Sequence, residues 1–146
     1  MVQEYFPEYK NQGYEIAGFV WWQGDKDAGG EPHASRYEFN LVNLIHALRQ
    51  EFNAPAAKFV AGTYIKNGWN LGSSSLAVVN GQLAVSGERG KYPEFVGNVL
   101  TVEGRDFYRD KSISPSTQDY HENWNAETYI LLGDAMGKAM ANLLKK

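Results

Sequence analysis

Apolar positions along the chain fall into two kinds of run. Short blocks rich in β-branched and aromatic residues stand at Ile16 to Trp22, Lys58 to Tyr64 and Asn98 to Val102. Each is bounded by polar or glycine residues, the pattern of a buried strand. Longer blocks repeat with helical spacing. Tyr37, Leu41, Leu44, Ile45, Leu48 and Phe52 form one face of a helix predicted over Ser35 to Phe52, with Ser35 and Glu38 as a capping box and Pro55 as the stop. A second helix is predicted from Ser74 to Val85. A third, capped at or near Asn125, buries Tyr129, Leu132, Met136, Met140 and Leu143, with Lys145 and Lys146 suited to its C-terminal dipole. Three strands alternating with three helices predict an α/β fold with a parallel sheet covered on both faces. No repeat or linker interrupts the pattern, so residues 1–146 read as a single domain.

The first strand ends in the most informative stretch, Ala17 to Asp27. Its apolar run stops at Gln23-Gly24-Asp25 and so delivers polar groups to the carboxyl edge of the sheet, where open α/β sheets bind ligands. Gln23 carries both an amide donor and a carbonyl acceptor. Gly24 permits a sharp turn and a close approach of backbone to ligand, and Asp25 can orient or charge-pair a base. Strand alternation sends Trp21 and Trp22 to opposite faces, so one lines a pocket and the other enters the core. The Gly-rich segment from Asp25 to Pro32 is expected at the rim of the site, because loops at strand ends carry function.

Composition narrows the classes of partner. Net charge is −3 and the pI near 5.6, with no cluster of lysine and arginine, which argues against nucleic acid. Hydrophobic residues make up 43% and charged residues 21%, as in ordinary globular domains. No segment approaches the ~20 apolar residues of a membrane span, and the first residues lack the basic and apolar regions of a signal peptide. The absence of cysteine excludes disulfides and thiolate metal sites. His33 and His46 have no close metal-ligand spacing. No glycine-rich phosphate fingerprint joins a strand to a helix. Neither a metal nor a cofactor is therefore expected. Ser73, Ser74 and Ser75, the one serine cluster near a helix start, read as capping residues.

Trp22-Gln23-Gly24-Asp25, preceded by Gly18-Phe19-Val20-Trp21, resembles the Trp-x-Gln-Gly-Glu/Asp block of the sialate O-acetylesterase-like carbohydrate esterases, which belong to the SGNH-type serine hydrolases. A second block, Tyr120-His121 followed by Asn125-Ala126-Glu127-Thr128-Tyr129, is similar to that family's catalytic-histidine block and the helix after it. Tyr37 to Phe52 and Gln82 to Val102 also read like the family, so the likeness extends over nearly the whole chain. The resemblance implies a three-layer α/β/α fold of flavodoxin-like type, and a carbohydrate O-acetylesterase that uses no cofactor.

By the same resemblance, His121 serves as general base and then general acid, Asp25 orients it with Asp119 in reserve, and Gln23 donates to the oxyanion. Trp22 and Gly24 contact an acetylated carbohydrate. The position three before His121 is Gln118, so the Asp-x-x-His arrangement of many relatives is not present. The family's amino-terminal Gly-x-Ser block, which carries the nucleophile, is not found ahead of the Trp22 block, and the serines after Gly72 do not match it. The expectation is therefore the C-terminal portion of such a domain, incomplete at its N-terminus, with the missing part of the same domain as a candidate partner and a secreted or periplasmic parent. A non-catalytic carbohydrate-binding or structural remnant of the same fold is the alternative.

Overall fold

The computed structural model describes residues 2–10 and 12–145. Lys146 of the expected C-terminal lysine pair lies outside them. Three strands, β1 (Gly18–Trp21), β2 (Lys58–Gly62) and β3 (Val99–Val102), form one parallel sheet in the order β1-β2-β3. Phe19 pairs with Phe59, and Phe59 with Val99. Among the described residues five α-helices accompany the sheet: α1 (Val2–Tyr5), α2 (Asp25–Ala28), α3 (His33–Glu51), α4 (Ser73–Ala84) and α5 (Ala126–Leu144).

Strand alternation divides the core in two. On one face Phe59, Ala61 and Val99 meet Tyr37, Leu41 and Ile45 of α3 and Val78 and Val79 of α4. On the other, Val60 meets Leu132, Met136, Ala139 and Leu143 of α5. The result is the expected three-layer α/β/α architecture. Burial of each large apolar side chain contributes about 1.5–3 kcal/mol, and β2, buried on both faces, collects the largest share. α3 and α4 approach closely because position 81 is glycine. A Cβ there would stand 3.0 Å from the Glu38 nitrogen and 3.1 Å from its Cα.

The helix stripes follow the sequence pattern, but two local expectations differ. α3 starts at His33, with Pro32 at its N-cap and no side-chain cap. The Ser35–Glu38 capping box does not form. Ser35 Oγ donates to the Pro32 carbonyl, while Glu38 accepts from Lys91 Nζ at 2.8 Å and from the Tyr92 hydroxyl at 2.9 Å. A tertiary partner has outcompeted the local one. Phe52, expected on the buried face, is half exposed and lies beyond the end of α3, against Phe19. The start of α5 matches expectation: Asn125 accepts from the backbone N–H groups of Glu127 and Thr128. The long connection between β3 and α5 contains short 3-10 turns at Arg105–Phe107 and Lys111–Ile113. Among the described residues no helix is long and apolar enough to cross a membrane.

Candidate active site

A cavity of about 560 Å³ opens at the carboxyl end of β1 and β2. One wall is Trp22, Gln23, Gly24 and Asp25, directly after β1. The facing wall is Asp119, Tyr120, His121 and Glu122, directly before α5. Tyr64 and Lys66, after β2, and Tyr108 and Tyr129 complete it. All five residues singled out from the sequence, His121, Asp25, Gln23, Trp22 and Gly24, line this one cavity. So does the reserve acid Asp119. His33 and His46 do not line it, and His46 instead packs its ring against Phe95.

The wall after β1 is fixed by a buried amide that sequence reasoning passed over. Gln82 of α4 is 1% exposed. Its Nε2 donates to the Gln23 carbonyl at 2.8 Å and to the Tyr37 hydroxyl at 3.1 Å, and its Oε1 accepts from the Tyr64 N–H at 2.7 Å. The Tyr37 hydroxyl donates to the same Gln23 carbonyl at 2.9 Å. One side chain thus ties the exits of β1 and β2 to α4 and satisfies groups that neither strand ladder reaches. Burial raises the Tyr37 phenol, so it stays a donor.

Gly24 answers the expectation of close approach in an unforeseen direction. Its φ is 148°, and a Cβ would stand 2.9 Å from Val78 Cγ1 of α4. The glycine lets the backbone turn against the helix as it enters the cavity wall. The Gln23 side-chain amide is held by Asp27 Oδ2 at 2.8 Å, which occupies one of its two N–H donors and leaves the second. Trp22 Nε1 donates to the Thr63 carbonyl at 3.2 Å, and its ring meets Tyr129 edge-on with centroids 5.4 Å apart. Trp21 packs on the opposite face with the α3 and α4 core.

The facing wall has an unusual backbone. His121, Glu122, Asn123 and Trp124 all have left-handed φ, at 50°, 48°, 53° and 58°, and Asp119 has φ 58°. Such a conformation costs non-glycine residues about 1–2 kcal/mol each and occurs mostly singly. Here buried Asn123 holds it. Its Oδ1 accepts from the Asp119 N–H at 3.2 Å, its carbonyl from the Ser116 N–H at 3.0 Å, and its N–H donates to Tyr120. Strain of this kind collects at functional sites.

The His121 ring is hydrogen-bonded to neither Asp25 nor Asp119. It stacks edge-on against Tyr120 at 5.0 Å, and Asp119 instead faces Lys111 at 3.6 Å. Glu122, which sequence reasoning did not select, turns inward. Its Oε2 is buried without a hydrogen-bond partner. Burial, reinforced by the negative charge of Asp25 and opposed by Lys66, pushes its carboxyl up to about 7. Burial, followed by Asp25 and Glu122, also pushes the Tyr64 phenol up to about 12. The cavity therefore combines an imidazole, a free amide donor, an exposed carboxylate and a carboxyl poised near neutrality, the groups from which proton transfer and oxyanion stabilisation are built. No serine lines it. No cluster of three or more His, Asp or Glu capable of holding a metal occurs among the described residues.

Comparison with known proteins gives the family. The profile described as "Carbohydrate esterase, sialic acid-specific acetylesterase" matches residues 1–142. The chain belongs to this carbohydrate esterase family. The X-ray structure of a protein from Arabidopsis thaliana superposes with a TM-score of 0.66 at 22% identity, over 95% of this chain and 50% of that one. At that identity the likeness speaks for the fold alone, and this chain spans half the length of that structure. No curated protein matches the sequence.

Proposed function

We propose that the cavity is the histidine, acid and oxyanion half of a serine esterase site that removes acetyl groups from carbohydrate. The observation that carries this reading is that Gln23 and Asp25, after the first strand, and His121, before the last helix, line one cavity at the carboxyl edge of a parallel sheet. In this reading His121 takes the proton of a serine hydroxyl and returns it to the departing sugar oxygen. The free N–H of Gln23 donates to the tetrahedral oxyanion. Asp25 orients the imidazole once substrate draws the two together, as catalytic hydrogen bonds are often loose before substrate binds. Trp22 and Gly24 shape the acyl pocket.

The cavity has no serine in its lining, which favours a second reading, a sugar-binding pocket without turnover. Both are tested by measuring acetate release from acetylated xylo-oligosaccharides and O-acetylated sialic acid, together with NMR shift mapping. Under the first reading acetylated sugars move the His121 and Gln23 side-chain signals, and the chain alone releases no appreciable acetate. Labelling of Ser73, Ser74 or Ser75 by a serine-directed phosphonate, with turnover lost in His121→Ala, would instead locate the nucleophile at the start of α4. Absence of both acetate release and shifts at His121 and Gln23 would refute an esterase site here.

A further inference from the structure

Outside the cavity, the loop between β2 and α4 presents an aromatic ring in a way that neither packing nor the esterase site explains. Trp69 is 60% exposed. An exposed tryptophan on a loop is ordinarily free to rotate, but this one is fixed on two sides. Its Nε1 donates to Asp106 Oδ1 at 2.7 Å, and the Arg105 guanidinium lies 3.7 Å from the ring centroid.

The guanidinium is itself immobilised. Arg105 Nε and Nη2 donate to the two oxygens of Glu103 at 2.8 and 2.6 Å, and its side chain is only 11% exposed. Burial pushes the Glu103 carboxyl up, but the Arg105 hydrogen bonds and charge, with the Thr63 hydroxyl, outweigh it and hold the group ionised below the usual range. Thr63 follows β2 directly, so the restraint runs from the sheet through Glu103 and Arg105 to the ring. The loop backbone is pinned as well: Gly68 N–H donates to Ile65 and Asn70 N–H to Asn67, with left-handed φ at Asn67 and Gly68.

The ring face away from Arg105 remains open, the same loop carries the exposed Asn67 and Asn70, whose side-chain amides make no hydrogen bond, and Asp106 keeps a second oxygen. A flat apolar surface with amide and carboxylate groups at its edge matches a pyranose, which has an apolar face of C–H groups and a rim of hydroxyls. The surface is also next to the cavity. Lys66, three positions before Trp69, lines the cavity, and Gly68 packs against Tyr108, which lines it too. At the platform Asp106 is the acid beside the ring and the Arg105 cation behind it is already paired with Glu103, which disfavours an anionic sugar.

We propose that Trp69 is a stacking platform for a neutral pyranose ring, so that the molecule takes an extended neutral oligosaccharide with one ring on Trp69 and another at the cavity. The platform itself rests only on the loop; its link to acetylated substrate rests on the esterase reading. Because the ring is already held, stacking immobilises little that was free, and affinity follows from preorganisation.

The test uses the 146-residue chain labelled with ¹⁵N and four probes: xylotetraose, cellotetraose, mannotetraose and sialyllactose. At least one neutral tetrasaccharide is expected to move the Trp69 indole N–H signal. Trp69→Ala should weaken that binding roughly tenfold, as expected for loss of one aromatic contact, and Trp69→Phe should restore part of it. Methyl 2-O-acetyl-xyloside, which carries the acetyl ester, should move His121. If the tetrasaccharide moves Trp69 while the acetylated xyloside leaves His121 unmoved, the platform stands and the esterase reading falls. The platform is overturned if no neutral tetrasaccharide moves Trp69, if Trp69→Ala binds as well as the parent, or if sialyllactose binds more tightly than every neutral probe. It is equally overturned if Trp69→Ala changes only the oligomeric state, which would make the ring a protein contact.

Discussion

The Gln82 side-chain amide lies 2.8 Å from the Gln23 carbonyl and joins α4 to the end of the first strand, at the point where the chain enters the cavity. The same amide holds the Tyr64 N–H. Gln82→Leu keeps the volume and leaves the Tyr64 N–H and the Gln23 and Tyr37 oxygens with fewer partners. Each buried polar group left unpaired costs about 1–3 kcal/mol. The Tyr64 N–H alone loses its only partner, since the Tyr37 hydroxyl still donates to Gln23, so a loss of roughly 1–3 kcal/mol is expected in urea unfolding, with Gln82→Glu recovering part of it at low pH. A loss below about 1 kcal/mol would mean that water replaces the amide.

Gly24→Ala meets two separable obstacles, the 148° φ and the contact with Val78. Together they should destabilise by about 1–3 kcal/mol. Val78→Ala relieves the contact but not the backbone strain. A double-mutant cycle should therefore return a favourable coupling of about 0.5–1.5 kcal/mol between the two sites, and additive effects would show that strain alone sets the requirement for glycine.

Glu122 titrates near 7 in the folded chain against an ordinary 4.5. Its folded value is raised, so the protonated carboxyl favours the native state. That contribution is complete below about pH 4.5 and is lost as pH rises through about 7. The full shift would correspond to about 3 kcal/mol, and partial exposure reduces it to roughly 1–2. Glu122→Gln stays neutral, so its stability relative to the parent should rise by that amount between pH 4.5 and pH 8. A difference independent of pH would indicate that the carboxyl is fully solvated.

Gln23→Ala bears on the proposed chemistry. In a catalytically complete protein containing this chain, it should lower kcat by roughly 10²–10³, the usual effect of removing one oxyanion donor, with KM changed less. Asp27→Ala removes only the partner that orients the amide, and should cost no more than about tenfold. Full kcat with weakened binding in Gln23→Ala would reassign the amide to ground-state contact.

The three strands, the three long helices and the cap at Asn125 were legible because periodicity and capping chemistry are local. The positions that escaped were decided by distant partners. Ser35 and Glu38 carry the spacing of a capping box, yet Lys91 and Tyr92 claim the glutamate. Gln82 sits in α4 among Val78, Val79, Leu83 and Ala84, and nothing adjacent in sequence marks its three partners. Glu122 faces inward because four successive non-glycine residues take left-handed φ, a conformation that no residue type among them advertises. The block at Trp22 to Asp25 was legible because it ends a strand, where topology dictates which side chains reach the sheet edge, whereas His121 was marked only by its resemblance to the family's histidine block.

The two cavity walls are far apart in the sequence, and both crossovers and the strands β2 and β3 lie between them. Bringing them together closes the long loop between Asp25 and Asp119, and contacts of such high sequence separation slow folding. The cavity is thus a reporter of complete folding. Partial structures that lack α5 have no second wall, and fraying of that helix dissolves the site while β2 and its neighbours persist. Amide exchange at Asn123 and at Gln23 should then respond differently to mild denaturant, with the left-handed segment opening at lower free energy than the strand exit held by Gln82.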